Sequence, residues 1–115
     1  MDKTGIAKAF SNGDFETAYP YFSEGIVWEV AGTETFTGKA AVIQQCEQVA
    51  QYFKSVETVF ETCHTITEAD TVAITGTAQF LRDGIEIAFV SACDVYFFNP
   101  SGFIEKIISY CISKK

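Results

Sequence analysis

Three turn signals divide the second half of the chain into long strands, and this arrangement constrains the fold more than any other feature. The turns are predicted at residues 68–70, at Asp83-Gly84 and at residues 99–102, which read Asn-Pro-Ser-Gly. Asp-Gly is a strong signal for a two-residue hairpin, and Asn, Pro and Gly stand at favoured positions of a type I turn. Consecutive hairpins predict an antiparallel meander, whose long strands must twist and coil.

The first half of the chain is predicted to be mainly helical. Apolar residues recur at helical spacing over residues 6–10 and again over 15–22. Pro20 lies inside the second pattern, where its ring clashes with the preceding turn, so the second helix should be short or kinked. A strand at 26–30 and irregular chain up to residue 38 lead into a third helix at 39–53.

Together these elements predict one α+β domain over residues 1–115, with three N-terminal helices against the concave side of a curled, mostly antiparallel sheet. The open end of such a cone is a pocket, and the 11 Phe residues supply aromatic surface to line it. Residues 88–98 are apolar on both faces of their strand. We therefore expect a second copy of the chain to cover the outer face of the sheet, which gives a homodimer.

Composition narrows the range of partners. The net charge is −7 and the basic residues do not cluster except at the last two positions, so neither nucleic acid nor a membrane surface is an expected partner. The 4 Cys residues and 1 His lack the spacing of metal ligands, and we expect no metal and no cofactor. No signal peptide or stretch of membrane-spanning length is visible, which predicts a cytoplasmic protein.

Several short motifs carry a family resemblance. They read NGD at 12–14, YFSEG at 21–25, VWEV at 27–30, FTGKAAV at 36–42, DVYFF at 94–98 and SGFI at 101–104. In this order they resemble the SnoaL-like proteins of the nuclear transport factor 2-like superfamily, to which ketosteroid isomerases and polyketide cyclases belong. The resemblance implies a cone-shaped, cystatin-like α+β barrel with a mixed sheet. It does not fix a reaction, because this scaffold serves several functions.

The resemblance also implies a pair of catalytic carboxyls. Glu29 falls on the general base of the isomerases, and Asp94 falls on the protonated aspartate of their oxyanion hole. One carboxyl would take a proton from the carbon beside a carbonyl, while the other would donate a hydrogen bond to the forming enolate. Ile6 and Cys46 stand where the isomerases have tyrosines, which argues against steroid isomerisation itself.

Strand alternation leaves an alternative open, because Trp28 and Glu29 must lie on opposite faces of their strand. Hydrophobicity favours Trp28 in the pocket and the resemblance favours Glu29; we follow the resemblance. Asp94 has a structural alternative as well, which is pairing with Arg82, Lys106 or a backbone donor. His64 shares the more apolar face of its strand and is a third candidate catalytic residue. The predicted pocket lining is Phe10, Phe22, Val27, Cys46, Phe53, Phe60 and Tyr96.

Three functions fit these residues. The first is a pocket for a hydrophobic small molecule, with isomerase- or cyclase-like proton transfer on a carbonyl compound and no cofactor. The second is a ligand-binding dimer without catalysis, in which the acids are structural. The third is an interaction module, which predicts a filled cone without a cavity.

Overall fold

Three α-helices and a six-stranded sheet form the fold, in a computed structural model that describes residues 1–114. The helices are α1 (Lys3–Ser11), α2 (Phe15–Ala18) and α3 (Lys39–Ser55), and a single 3-10 turn, Tyr19–Tyr21, follows α2. The strands are β1 (Phe22–Val30), β2 (Glu34–Thr37), β3 (Glu57–Glu68), β4 (Thr71–Arg82), β5 (Ile85–Phe98) and β6 (Ile104–Ser113). The predicted α+β class is confirmed. Lys115, the last residue of the predicted domain, lies outside the described residues.

The two N-terminal helices begin and end as their local sequence dictates. The Asp2 side chain accepts a hydrogen bond from the backbone N–H of Gly5 at 2.8 Å and caps α1. Pro20 limits α2 to Phe15–Ala18, because its ring cannot continue the helix. The prediction of a short second helix is confirmed.

The strand order is β2-β1-β6-β5-β4-β3, and every neighbouring pair is antiparallel except β1 and β6, which are parallel. The sheet is mixed but not closed, since β2 and β3 form its two edges. Helix α3 contacts both edge strands, so the sheet curls around it. This curl gives the sheet one concave face toward the helices and one convex face turned away from them.

Strand β2 was not predicted, since residues 32–38 were expected to be irregular. Its residues pair with β1 in antiparallel register, with Trp28 opposite Phe36 and Val30 opposite Glu34. The strand has only four residues, of which Phe36 alone is apolar, and this is too short for a periodic signal. Pairing with β1 therefore decides its conformation.

Two features of β3 and β4 determine which side chains reach the concave face. A β-bulge shifts the register between Thr62, which is opposite Gly76, and His64, which is opposite Thr75. Gly76 has no room for a side chain, because a Cβ there would collide with the carbonyl oxygen of Glu61. The two strands approach closely at this point.

The core lies between the three helices and the concave face of β1, β4, β5 and β6. Its fully buried members include Ile26, Tyr96, Ile104 and Ile107. Burial of one such aliphatic side chain contributes about 1.5–3 kcal/mol. Among residues 1–114, no helix is long and apolar enough to cross a membrane.

Candidate functional site

An open cavity of about 370 Å³ lies between the concave face of the sheet and the helices. Its volume falls in the range of small-molecule sites. The walls are mainly apolar and include seven aromatic residues, some of which pack edge-to-face, as Phe10 and Trp28 do with ring centroids 5.2 Å apart. The interaction-module hypothesis predicted a filled cone, and this cavity contradicts it. The aromatic lining consists of Phe10, Phe15, Trp28, Phe36, Phe53, Phe60 and Phe80.

Asp94 borders the cavity from the middle of β5. It stands between Ser109 on β6 and Ile74 on β4 in the strand register, and all three residues line the cavity. The Ser11 hydroxyl, at the end of α1, donates to Asp94 Oδ2 at 2.8 Å. One carboxyl oxygen is therefore occupied by the protein, and the predicted pairing of Asp94 with Arg82 or Lys106 is absent from the ion pairs among residues 1–114.

Neighbouring hydroxyl and indole groups extend this contact into a network. The indole N–H of Trp28 donates to Ser109 Oγ at 3.0 Å, and Ser109 is a buried polar side chain. Tyr96 Oη lies 2.5 Å from Ser11 Oγ. Ser11 therefore contacts both Asp94 and the Tyr96 hydroxyl, and the Tyr96 hydroxyl is also a hydrogen-bonding neighbour of Asp94. The network makes this part of the cavity wall polar.

Burial has the largest influence on the pKa of Asp94. Desolvation raises the pKa of its carboxyl above the ordinary value, and the hydroxyls of Ser109, Ser11 and Tyr96 oppose the rise because they favour the ionised form. Burial is the larger effect. Burial and the nearby Asp94 carboxyl also raise the pKa of Tyr96. The arrangement favours a protonated Asp94 more than exposure to water would.

The prediction that Glu29 faces the pocket is wrong. Glu29 follows Trp28 in β1, and strand alternation directs it to the convex face once Trp28 points to the cavity. There its Oε1 lies 3.7 Å from Lys106 Nζ, and its side chain is 39% exposed. The structure therefore does not bring Glu29 and Asp94 together on one face.

The prediction that His64 points inward is also wrong. The bulge between Thr62 and His64 reverses the alternation along β3, so that Phe60 and Thr62 line the cavity while His64 is exposed on the other face. Its Nδ1 lies 3.0 Å from Thr75 Oγ1.

The predicted lining residues divide into two groups. Phe10, Phe53 and Phe60 line the cavity. The other four do not: Val27 lies on the convex side of β1, and Phe22, Cys46 and Tyr96 are buried in the core. Burial raises the pKa of the Cys46 thiol to about 12, as expected of a packing residue. Within residues 1–114, no three His, Cys, Asp or Glu side chains group as metal ligands.

Three polar residues of the cavity were not singled out from the sequence. Ser11 follows Ala7 by four positions on the buried side of α1, and Ser109 alternates with Ile107 on β6. A small polar residue at a buried position of a periodic pattern is the signal that could have found both. Glu34 lines the cavity from β2, and its position becomes meaningful only when β2 is recognised as a strand.

Comparisons with known proteins agree with this architecture. The sequence profile of the SnoaL-like domain matches residues 4–107. An NTF2-like protein of unknown function from Cytophaga hutchinsonii is 36% identical, with 94% of each chain covered and a TM-score of 0.85. A comparison with curated protein sequences gives no match.

Two more distant solved structures share the fold. A proposed ketosteroid isomerase from Kribbella flavida is 11% identical, covers 97% of this chain and 78% of its own, and has a TM-score of 0.75. A proposed polyketide cyclase from Sinorhizobium meliloti is 16% identical, covers 91% of this chain and 93% of its own, and has a TM-score of 0.65. At these identities the likeness is one of fold.

Proposed function

Because this chain belongs to the family of SnoaL-like domains, we propose that its cavity takes up an apolar small molecule with a hydrogen-bond-accepting oxygen. A carbonyl compound fits this description. The observation that carries the proposal is the position of Asp94, a buried carboxyl bordering an aromatic cavity of about 370 Å³. An apolar body fills the aromatic part, and the acid provides the polar contact.

The hydrogen bonds of Asp94 determine which of its carboxyl oxygens can contact a ligand. Oδ2 accepts from Ser11, so we expect a proton on the carboxyl to be carried by the other oxygen, on a residue that borders the cavity. The Trp28 indole occupies one lone pair of Ser109 and holds that hydroxyl beside the carboxyl. A ligand oxygen would thus meet a donor whose orientation is fixed before binding, which lowers the cost of ordering the site.

A binding experiment tests this function with two ligands of nearly equal shape. 2-Acetylnaphthalene carries the carbonyl oxygen, and 2-isopropenylnaphthalene replaces it by a methylene group. We expect the ketone to bind about five- to tenfold more tightly, which corresponds to one net hydrogen bond. Asp94→Asn retains a donor and should keep this preference, while Asp94→Leu should lose it. Equal affinity of the wild type for both ligands would contradict the proposal.

Proton transfer on the bound carbonyl compound is a second candidate function: the ionised form of Asp94 would take a proton from the carbon beside the carbonyl and return it, and a raised pKa makes this carboxylate a stronger base. Non-catalytic binding is favoured instead by the position of Glu29. The residue predicted to be the general base lies on the convex face beside Lys106, away from the cavity. Exchange of the protons next to the carbonyl of 2-acetylnaphthalene in deuterated water distinguishes the two. Catalysis predicts faster exchange with the wild type and its loss in Asp94→Asn with binding retained. Binding without faster exchange identifies a ligand-binding protein.

The convex face supports the proposal of a homodimer. Tyr110 and Ile112 on β6 are 48% and 73% exposed, and Ile66 on β3 is 60% exposed. Val95 and Ile108 lie opposite each other on β5 and β6, on this same face. An apolar sheet face of this kind is suited to a symmetric contact with a second copy.

A further inference from the structure

Glu34 is the carboxylate that the β1–β2 hairpin directs to the concave face. In the register of the hairpin it stands opposite Val30, just as Phe36 stands opposite Trp28. All four residues line the cavity, as alternation along the two strands requires. Glu34 is exposed to solvent, so it lies at the mouth while Trp28 forms part of the inner wall.

The strand register places Glu34 and Asp94 in one row across four neighbouring strands. Glu34 is opposite Val30, Val30 is opposite Ser109, and Ser109 is opposite Asp94. Three strand spacings of about 4.8 Å give roughly 14 Å along the sheet, and the curl shortens the path through the cavity. A molecule with two or three fused rings and a substituent at each end has a comparable length.

Among residues 1–114, no ion pair balances the charge of Glu34. The three ion pairs among residues 1–114 join Lys3 to Asp70, Lys106 to Glu29 and Lys114 to Glu86. No Lys, Arg or His of the described residues lines the cavity. A ligand carboxylate at the mouth would be repelled by Glu34, because no cation of the cavity lining offsets the two negative charges. An ammonium group would be attracted.

The walls near the mouth favour the same kind of ligand. Phe36 and Trp28 lie beside each other with ring centroids 5.9 Å apart, on the same face of the hairpin as Glu34. The faces of aromatic rings attract organic cations, and Phe36 is two positions from Glu34 on the same face of β2. Glu61 also borders the cavity, but alternation turns its carboxylate away from the face of Phe60 and Thr62.

We infer that the cavity selects apolar ligands with an acceptor oxygen at one end and a protonated amine at the other, with the amine held at Glu34. This inference rests on the proposed function, since it specifies the ligand class of the same cavity. Asp94 is the contact for the oxygen, and Glu34 determines the charge that the mouth accepts.

Three ligands that differ only at the far end of the molecule test the inference. They are 2-acetylnaphthalenes with an aminomethyl, a hydroxymethyl or a carboxylate group at position 6. Affinities are measured by calorimetry, and quenching of Trp28, the single Trp of the chain, reports binding in the cavity. The amine would form an exposed ion pair with Glu34, whereas the carboxylate would be repelled by it. We therefore expect the amine to bind roughly tenfold more tightly than the carboxylate.

Variants assign this preference to Glu34. Glu34→Gln should reduce the amine preference to about twofold or less, and Glu34→Lys should reverse it. Glu29→Gln is the matched control, because it removes the same charge from the same hairpin on the opposite face and should keep the preference. Circular dichroism confirms that each variant is folded.

Each result supports or overturns the inference. A tenfold preference that depends on Glu34 and not on Glu29 supports it. Equal binding of amine and carboxylate, or a preference that survives Glu34→Gln, overturns it while the cavity remains a ligand site. If none of the three ketones binds or quenches Trp28, the proposed function fails together with the inference.

Discussion

The two faces of the curled sheet hold two carboxyls of opposite character. Asp94 on the concave face borders an aromatic cavity, and burial raises its pKa. Glu29 on the convex face is partly exposed and lies 3.7 Å from Lys106. Both residues align with catalytic acids in the family resemblance, yet one is buried beside the cavity and the other forms a surface ion pair.

The comparison shows that the environment of an acidic side chain depends on which face of its strand the residue occupies. Trp28 and Glu29 are neighbours in β1, and their side chains lie on opposite sides of the sheet. The curl then makes a cavity on one side and leaves the other side convex and partly apolar. Four predictions test how far the two faces differ.

The largest effect is expected for Trp28→Ala on the concave face. The substitution removes a side chain that is 6% exposed and deletes the donor to Ser109, so the free energy of unfolding should fall by about 3–5 kcal/mol. Urea denaturation measures the change. Val27→Ala, one position away on the convex side, is the control and should cost clearly less. Similar losses at both positions would contradict the contrast between the faces.

The next largest effect is expected on the convex face, where Tyr110→Glu should disrupt the proposed dimer. A charge in the centre of an apolar contact is expected to weaken association by about 2 kcal/mol or more. Light scattering should show a wild-type mass of twice 12.7 kDa and a variant mass near 12.7 kDa. Tyr52→Glu on α3 is the control, since Tyr52 is 44% exposed and Tyr110 48%. A monomeric wild type at micromolar concentration would refute the dimer.

A smaller, pH-dependent effect is expected for Asp94→Asn. Because burial raises the pKa of Asp94 in the folded protein, its stabilising contribution is complete below the pKa of the unfolded chain and is lost as pH rises through the folded pKa. Asn does not titrate. The unfolding free energy of the variant, relative to wild type, should therefore increase from about pH 4 upward.

Urea denaturation across this pH range measures that increase. Glu29→Gln is measured in parallel, so that the general effect of removing one negative charge is subtracted. A difference between Asp94→Asn and wild type that stays constant or falls with rising pH would show that hydrogen bonds from the hydroxyls outweigh burial.

The smallest effect is expected for Glu29→Gln itself. Its ion pair with Lys106 is partly exposed, and such pairs contribute about 0–1 kcal/mol. Thermal unfolding at low and high salt should show a small loss that salt removes. A loss of ketone binding in this variant would mean that Glu29 acts on the cavity from the convex face.

Much of the fold was predictable because its signals are local. The hairpin turn at Asp83-Gly84 forms as predicted, with positive φ at both residues. Pro20 ends α2, and the third helix follows its apolar stripe. Strand β2 was missed because a four-residue polar strand has no pattern of its own, and it exists through its pairing with β1.

The site was predictable only in part. Asp94 was found through the family resemblance, and it borders the cavity. His64 was misplaced because a single bulge at Cys63 reverses every later side chain of β3, and sequence periodicity carries no signal for one inserted residue. Ser11 and Asp94 are 83 positions apart in the sequence, so their contact depends on the packing of α1 against the sheet.

Trp28 and Glu29 lie on opposite faces of β1 because side chains alternate along any extended strand, and this much follows from the sequence alone. The sequence did not determine which face became the cavity wall. The parallel pairing of β1 with β6, the contact of α3 with both edges of the sheet and the resulting curl decided that. These are interactions between distant segments, and they made Trp28 and Glu34 cavity residues while they left Glu29 outside.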